Sequence, residues 1–319
     1  MGQSTMAYAG IDTSKHTLEI AIHNAKARNQ VGNDGAGHAE LSAWLHRRHV
    51  HRVGIEATGG HEKTVVARLR QDGFEVVVFQ PLQVRAYAQY RLQRAKNDRI
   101  DAALIAACAA DCKDEDIHAP PDPRIVARAE HLTMIEQITQ DIAKLKTRLS
   151  SCHDDTVRHR WQAEIRRLRK WLKQELADLV AGLRQHHDLA ERLDLIKSVR
   201  GIGLRTAVAI LIRLPEIGSI SPEKAAALAG LAPYDDDSGD HHGQRHIAGG
   251  RQRLRNSLYA AALPATFSWL PQLNAFYRRL TAKGKPHKLA LIACARKLLT
   301  YANAVVARGS PWVAQTNDL

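Results

Sequence analysis

Short apolar runs alternate with helix-period segments over the first third of the chain. Ala7 to Ile11 and Leu18 to Ile22 read as neighbouring strands around a turn at Thr13 to His16, and Val53 to Glu56 and Phe74 to Phe79 read as two more strands. Between and after them, Ala39 to Arg47, His61 to Gln71 and the alanine-rich stretch Asp98 to Cys112 carry apolar residues at helical spacing. A hairpin followed by strand-helix repeats predicts an α/β domain over residues 1–119.

Pro120, Pro121 and Pro123 break the pattern, and long amphipathic helices follow from about Ile125 to His187. Ile135, Ile138, Ile142, Leu145 and Leu149 share one face, as do Ile165, Leu168, Leu172 and Leu176 on the next segment. Two antiparallel helices meeting near Ser150 to Asp155 predict a coiled-coil arm over residues 120–190, whose apolar seam could equally be a subunit interface. Arg158, Arg160, Arg166, Arg167 and Arg169 crowd the polar face, either as a nucleic-acid contact or as a solvated surface. Residues 191–319 read as a mostly helical domain, with a helix from Leu204 to Leu214, an irregular polar stretch up to Gly250, and a helix from Arg251 to Phe267.

Composition narrows the function classes. The 319 residues suffice for more than one core, and 45% hydrophobic content indicates a globular protein. A formal net charge of +13 and a sequence pI near 9.8 point to a polyanionic partner, most simply nucleic acid. Four cysteines, Cys108, Cys112, Cys152 and Cys294, provide no second spaced pair for a zinc site and suit a reduced cytoplasm. Cys108 and Cys112 are expected to pack rather than to bind metal. No stretch reads as long enough to cross a membrane, and no secretory leader is visible, so a cytoplasmic protein is expected.

Candidate chemistry sits on four carboxylates. Asp12 ends the first apolar run in Gly-Ile-Asp, Glu56 ends another in Ile-Glu-Ala-Thr-Gly, and Asp98 and Asp101 lie three apart at a helix start in Lys-Asn-Asp-Arg-Ile-Asp-Ala. Carboxylates gathered in a crevice repel unless cations neutralise them, so a cage for a hard divalent ion such as Mg2+ is expected, with phosphoryl transfer as its chemistry. Further along, the glycines of Val-Arg-Gly201-Ile-Gly203 permit a helix-hairpin-helix-like turn whose N–H groups face a DNA phosphate. Ser238, beside Gly239, lies in a loop with Arg245, Arg251, Arg253 and Arg255 close in sequence, a candidate hydroxyl with cations to balance a phosphate.

Taken in order, the four acidic motifs, the Gly-Ile-Gly turn, and Gly-Leu-Ala-Pro followed by Ser-Gly resemble the DEDD insertion-sequence transposases of the insertion-sequence 110 group, which are bridge-RNA-guided DNA recombinases. The resemblance covers nearly the whole chain. It implies a RuvC-like, ribonuclease H-fold first domain with Asp12, Glu56, Asp98 and Asp101 as catalytic and magnesium-binding acids. It further implies that Ser238 is a nucleophile forming a covalent phosphoserine with DNA. Donor and target duplexes would be chosen by a structured bridge RNA, and the assembly would be a dimer of dimers. One departure is that Asp235, Asp236 and Asp237 precede Ser238, and His241 and His242 follow Gly239, where the family usually carries fewer acids. Ser257, the alternative hydroxyl, is expected to be buried or turned onto its own helix. Two other functions fit the residues: a junction-resolving nuclease in which metal-activated water attacks, and a non-catalytic nucleic-acid scaffold.

Overall fold

The computed structural model describes residues 6–92, 98–114, 122–234, 237–238, 241–242 and 246–313, and for residues 98, 99, 237, 238, 241 and 242 only the backbone. The chain divides into two compact units, Met1–Pro120 and Pro121–Leu319. Together they form a mixed α/β protein that is mostly helical, with twelve α-helices among the described residues.

The first unit is built on strands β1 (Ala7–Thr13), β2 (Thr17–Ile22), β3 (Arg28–Gly32), β4 (Val50–Glu56) and β5 (Glu75–Phe79). They lie in the order β3-β2-β1-β4-β5, with β1 antiparallel to β2 and parallel to β4. Ser14 Oγ accepts the backbone N–H of Thr17 at 2.9 Å and so closes the first turn. Alternation along β1 sends Ala9 and Ile11 to one face, where they pack with Val53, Ile55, Leu41 of α1 (Gly35–His46) and Leu69 of α2 (Lys63–Gln71). The opposite face packs Phe79 of β5 against Val84 of α3 (Pro81–Tyr90) and against Ile105 and Ala109 of α4 (Asp98–Asp111). Strand β3 and helix α3 were not anticipated. Both are too polar to announce themselves, β3 being an edge strand that buries only Val31 and α3 only Val84. Cys108 is buried in this second core, as expected from packing, and burial followed by the nearby Asp111 charge pushes its thiol up to about 12.

The second unit opens with the helical hairpin α5 (Pro123–Ser150) and α6 (Asp155–Arg184), each N-capped by the preceding aspartate. Its distal seam is Ile138, Ile142, Leu145, Ile165 and Leu168. Ile125, Leu132, Ile135, Leu179 and Leu183, nearer the base, instead share one core with the C-terminal helices. Arg158 donates to Leu149 O at 3.3 Å and Cys152 O at 2.7 Å, closing the hairpin rather than joining the exposed basic face. Arg166, Arg167 and Arg169 are exposed, with Arg167 paired to Glu164 at 2.7 Å.

Helices α7 (His187–Ser198), α8 (Leu204–Arg213), α9 (Pro222–Leu228), α10 (Gln252–Pro264), α11 (Pro271–Ala282) and α12 (His287–Arg308) complete this unit. A π-helical turn, Ala265–Trp269, continues α10. Contrary to expectation, one helix, α12, is long and apolar enough to cross a membrane, with 50% of its most apolar window buried. Leu291, Cys294, Leu298, Leu299, Ala302 and Val305 belong to the core, which explains its apolarity.

Gly201 has φ of 92°, and a Cβ there would lie 2.6 Å from Ala265 Cβ, whereas Gly203, the N-cap of α8, has open space around it. Gly201→Ala should lower unfolding stability by about 2 kcal/mol or more, combining left-handed strain with overpacking. Gly203→Ala should leave the melting transition nearly unchanged, and thermal denaturation of the two variants checks the contrast.

Candidate active site

Asp12 and Glu56 are brought side by side by strand register. Ile11 pairs with Ile55 across parallel β1 and β4, so the next residue on each strand is a carboxylate, on neighbouring strands about 4.8 Å apart. Gly10 pairs with Gly54 two positions earlier, on the same face as Asp12 and Glu56. These two glycines decide what can lie on that face. A Cβ on Gly10 would meet Ala106 N at 2.1 Å and Ala102 O at 2.2 Å, and one on Gly54 would meet Ile105 O at 3.0 Å. Helix α4 therefore rests backbone to backbone on β1 and β4.

The direction of α4 follows from its far end. Arg52, two residues before Gly54 on β4, is 4% exposed and donates to Ala109 O at 3.3 Å and Cys112 O at 2.6 Å. It also pairs with Glu75 and Asp114. Burial disfavours its charge, yet the hydrogen bonds to those two carboxylates outweigh it and raise the guanidinium above its ordinary value. Helix α4 thus runs antiparallel to β4, and its first turn, with Asp98 and Asp101, lies toward the strand ends that carry Asp12 and Glu56. Asp101 is half-buried there, and the side chain of Asp98 lies outside the described residues.

The loops at this end are tied together. Asn33 donates to Ser14 O at 2.8 Å and to His61 O at 3.1 Å, linking the turn after Asp12 to the loop after Glu56. Its Oδ1 contacts His38 Nε2 at 2.8 Å, and burial lowers the pKa of that histidine. Glu62, nearly buried, accepts from Thr58 N at 3.0 Å and Gly60 N at 2.9 Å, ordering the glycine turn beyond Glu56. Glu19 pairs with Asp12 across β1 and β2 and accepts from Gln30, so a third carboxylate stands in the same row of the sheet. Asn33, Glu62 and Glu19 carry no sequence motif; only the period-two register of β2 could have singled out Glu19. Among the described residues, no group of three or more His, Cys, Asp or Glu side chains is arranged to hold a metal ion, so the expected cage is not closed by the described side chains alone.

In the second unit, the stretch read as irregular contains paired strands. β6 (Pro233–Tyr234) pairs with β9 (His246–Ile247), and β7 (Asp237–Ser238) pairs with β8 (His241–His242), with Ser238 opposite His241. The Ser238 side chain, Gly239 and Arg245 lie outside the described residues. The neighbouring arginines have structural partners. Arg251 grips Glu216 through two bonds of 2.7 and 2.6 Å, Arg253 meets Glu136 at 3.0 Å, and Arg255 donates to Gly249 O at 2.7 Å and Gly230 O at 3.4 Å. Arg251 and Arg255 thereby fasten the base of the Ser238 loop. Ser257 departs from expectation: it is half-buried and lines a cleft of about 190 Å3 with Arg205, Arg253 and Asn256.

Gly10→Ala should push α4 from the sheet and cost about 3 kcal/mol, with any divalent-ion binding lost in parallel. Arg52→Ala should cost a similar amount by stranding Glu75 and the last carbonyls of α4. Denaturant unfolding of the residue 1–319 chain, read by circular dichroism, measures both.

Residues 9–158 match a family described as Transposase, of the DEDD type named for IS110. Residues 193–278 match the Transposase IS116/IS110/IS902 family. The chain is similar to the pilin gene-inverting protein of Moraxella bovis, 29% identical over 96% of this chain and 97% of that protein. The same protein of Moraxella lacunata shows the same identity and coverage. An insertion element IS110 protein of 43.6 kDa from Streptomyces coelicolor is 32% identical over 36% of this chain and 29% of its own length. With the strand-end acids, the glycine-seated helix and these matches in the same chain order, the protein belongs to the IS110 family of transposases, DNA-recombining proteins.

Proposed function

We propose that the chain is a bridge-RNA-guided recombinase that exchanges DNA strands through Ser238, with Asp12, Glu56, Asp98 and Asp101 holding Mg2+ at a composite site. The observation that carries this reading is the seating of α4 on Gly10 and Gly54, which sets its acidic first turn at the strand ends bearing Asp12 and Glu56. The strand order β3-β2-β1-β4-β5, a hairpin continued by strand-helix repeats with an acid on β1, supports a RuvC-like ribonuclease H layout.

The donor set fits a hard divalent ion. Mg2+ keeps several waters and uses one or two carboxylates together with substrate phosphates, a demand that the two adjacent strand-end acids, Asp12 and Glu56, can meet. When bound, the ion would supply charge balance to the phosphate. Asn33 and Glu62 hold the flanking loops so that the carboxylates keep their register as a phosphate approaches. The Ser238 hydroxyl gives its proton to solvent, its oxygen bonds to phosphorus, and the sugar oxygen of the cut strand leaves and takes up a proton from solvent, so one phosphate ester replaces another. Arg251 and Arg255 position the hairpin that carries Ser238 by anchoring its base. The turn at Gly201 and Gly203 and the exposed Arg166, Arg167, Arg169 and Arg253 hold nucleic-acid backbone without reading bases, as does Arg245. Selection of donor and target by RNA pairing complements such backbone binding, and a dimer of dimers would bring both duplexes to the acidic and serine parts.

The named relatives include a protein called pilin gene-inverting, and inversion of a DNA segment is a strand exchange of this kind. Ser238→Ala should abolish cleavage and the covalent protein-DNA species while leaving DNA binding intact. A variant that still cleaves would convert the reading to a water-using junction nuclease. Asp12→Asn should remove Mg2+ binding in calorimetry, and unchanged binding would leave a nucleic-acid scaffold. Charge reversal at Arg166, Arg167 and Arg169 should weaken RNA or DNA binding about tenfold or more at moderate salt and flatten its salt dependence, checked by anisotropy titration.

A further inference from the structure

The second unit carries an aromatic surface that the proposed chemistry does not use. On the π-helical turn, Phe267 is 48% and Trp269 50% exposed, next to Leu263 at 38%. Phe267 is not loosely held. Tyr277 of α11 meets it edge-on at 5.0 Å between ring centroids, and His287 at the start of α12 lies nearly parallel to it, at 14° and 6.5 Å. Tyr277 also meets His287 edge-on at 5.7 Å and shares a hydrogen bond with its Nδ1 at 2.7 Å. Three rings from three elements thus brace one another and leave an outer face of Phe267 in solvent.

The surroundings are cationic. From residue 241 to residue 317 the sequence has twelve Lys and Arg and no Asp or Glu. Arg278, Arg279, Lys283, Lys285 and Lys288, on or between the elements that brace the rings, are exposed. Arg279 and Lys297 lie over the ring of Phe276 at 5.3 and 5.9 Å, so part of this charge is itself ordered on an aromatic.

We infer that Phe267, braced by Tyr277 and His287, and the exposed Trp269 two residues on in the same turn provide stacking positions for unpaired bases of a single DNA strand, with the exposed lysines of residues 283–288 to neutralise its phosphates. An aromatic face beside cations suits an unpaired nucleotide, whose base stacks while its phosphate is neutralised. A paired duplex offers its bases already stacked and engages only the cations. A second copy of this chain is disfavoured as the occupant, since a symmetric contact would set two acid-free cationic segments against each other. Strand exchange, the activity of this family of DNA-recombining proteins, must separate base pairs at the crossover and so presents such a strand.

These stacking positions rest on the family's action on DNA and not on Ser238 chemistry, and the test is an equilibrium binding measurement that needs no cleavage. With the full chain and fluorescent oligodeoxythymidylate, Phe267→Ala and Trp269→Ala should each weaken binding about tenfold. Binding to a DNA duplex should change by no more than about twofold, and Phe267→Tyr and Trp269→Phe should retain most single-strand affinity. Quenching of tryptophan emission by the oligonucleotide should shrink in Trp269→Phe. Equal losses on single strand and duplex, no loss on either, or a loss confined to oligouridylate would overturn the assignment. So would a fall in oligomeric state of the alanine variants in light scattering, which would mean that a second copy covers the patch.

Discussion

The close approach of α4 to the central strands is the contact on which the arrangement of the first unit depends. A helix normally stands off a sheet by the thickness of two side-chain layers, but here the paired hydrogens of Gly10 and Gly54 let backbone meet backbone. At that separation the first turn of α4 lies toward the strand ends that carry Asp12 and Glu56. The other end of the helix is pinned by Arg52, a buried guanidinium satisfied by two carboxylates and two carbonyls, which removes the freedom to slide.

The second unit follows a different logic, in which long helices provide reach and a common core provides rigidity. The hairpin of α5 and α6 is zipped by its own seam at the far end but is rooted in the C-terminal core through Leu132, Ile135, Leu179 and Leu183. Arginines placed near Ser238 in sequence divide their work accordingly. Arg251 and Arg255 hold the base of the serine hairpin, and Arg253 joins Arg213 on Glu136 of α5, coupling α10 to the arm.

Much of the fold was legible because burial imposes periodicity. The strands containing Ile11, Ile20, Ile55 and Val76 show it as short apolar runs, and the seam from Ile138 to Leu145 shows it at helical spacing. Elements with few buried residues escaped: β3, with Val31 alone in the core, and α3, with Val84 alone, have no pattern to read. Residues 233–247 looked irregular since their two-residue strand pairs are too short for any alternation to register. Helix α12, which the sequence did not announce as a possible span, has the apolar length of one because half of its most apolar stretch packs in the core.

By itself the sequence determined which residue types were available: acids at strand ends and at a helix start, glycines in a tight turn, a serine beside a glycine, and a cationic, acid-free stretch near the C-terminus. Chemistry resides in side chains, and their types and local spacing are written directly in the chain. Tertiary structure alone decided that Glu19 stands in the row of Asp12, that Asn33 joins two loops, that Gly201 is reserved for Ala265, and that Phe267 is braced by rings ten and twenty residues away. Such juxtapositions depend on strand register and helix docking, which are set by the packing of the whole core and leave no local mark in the sequence.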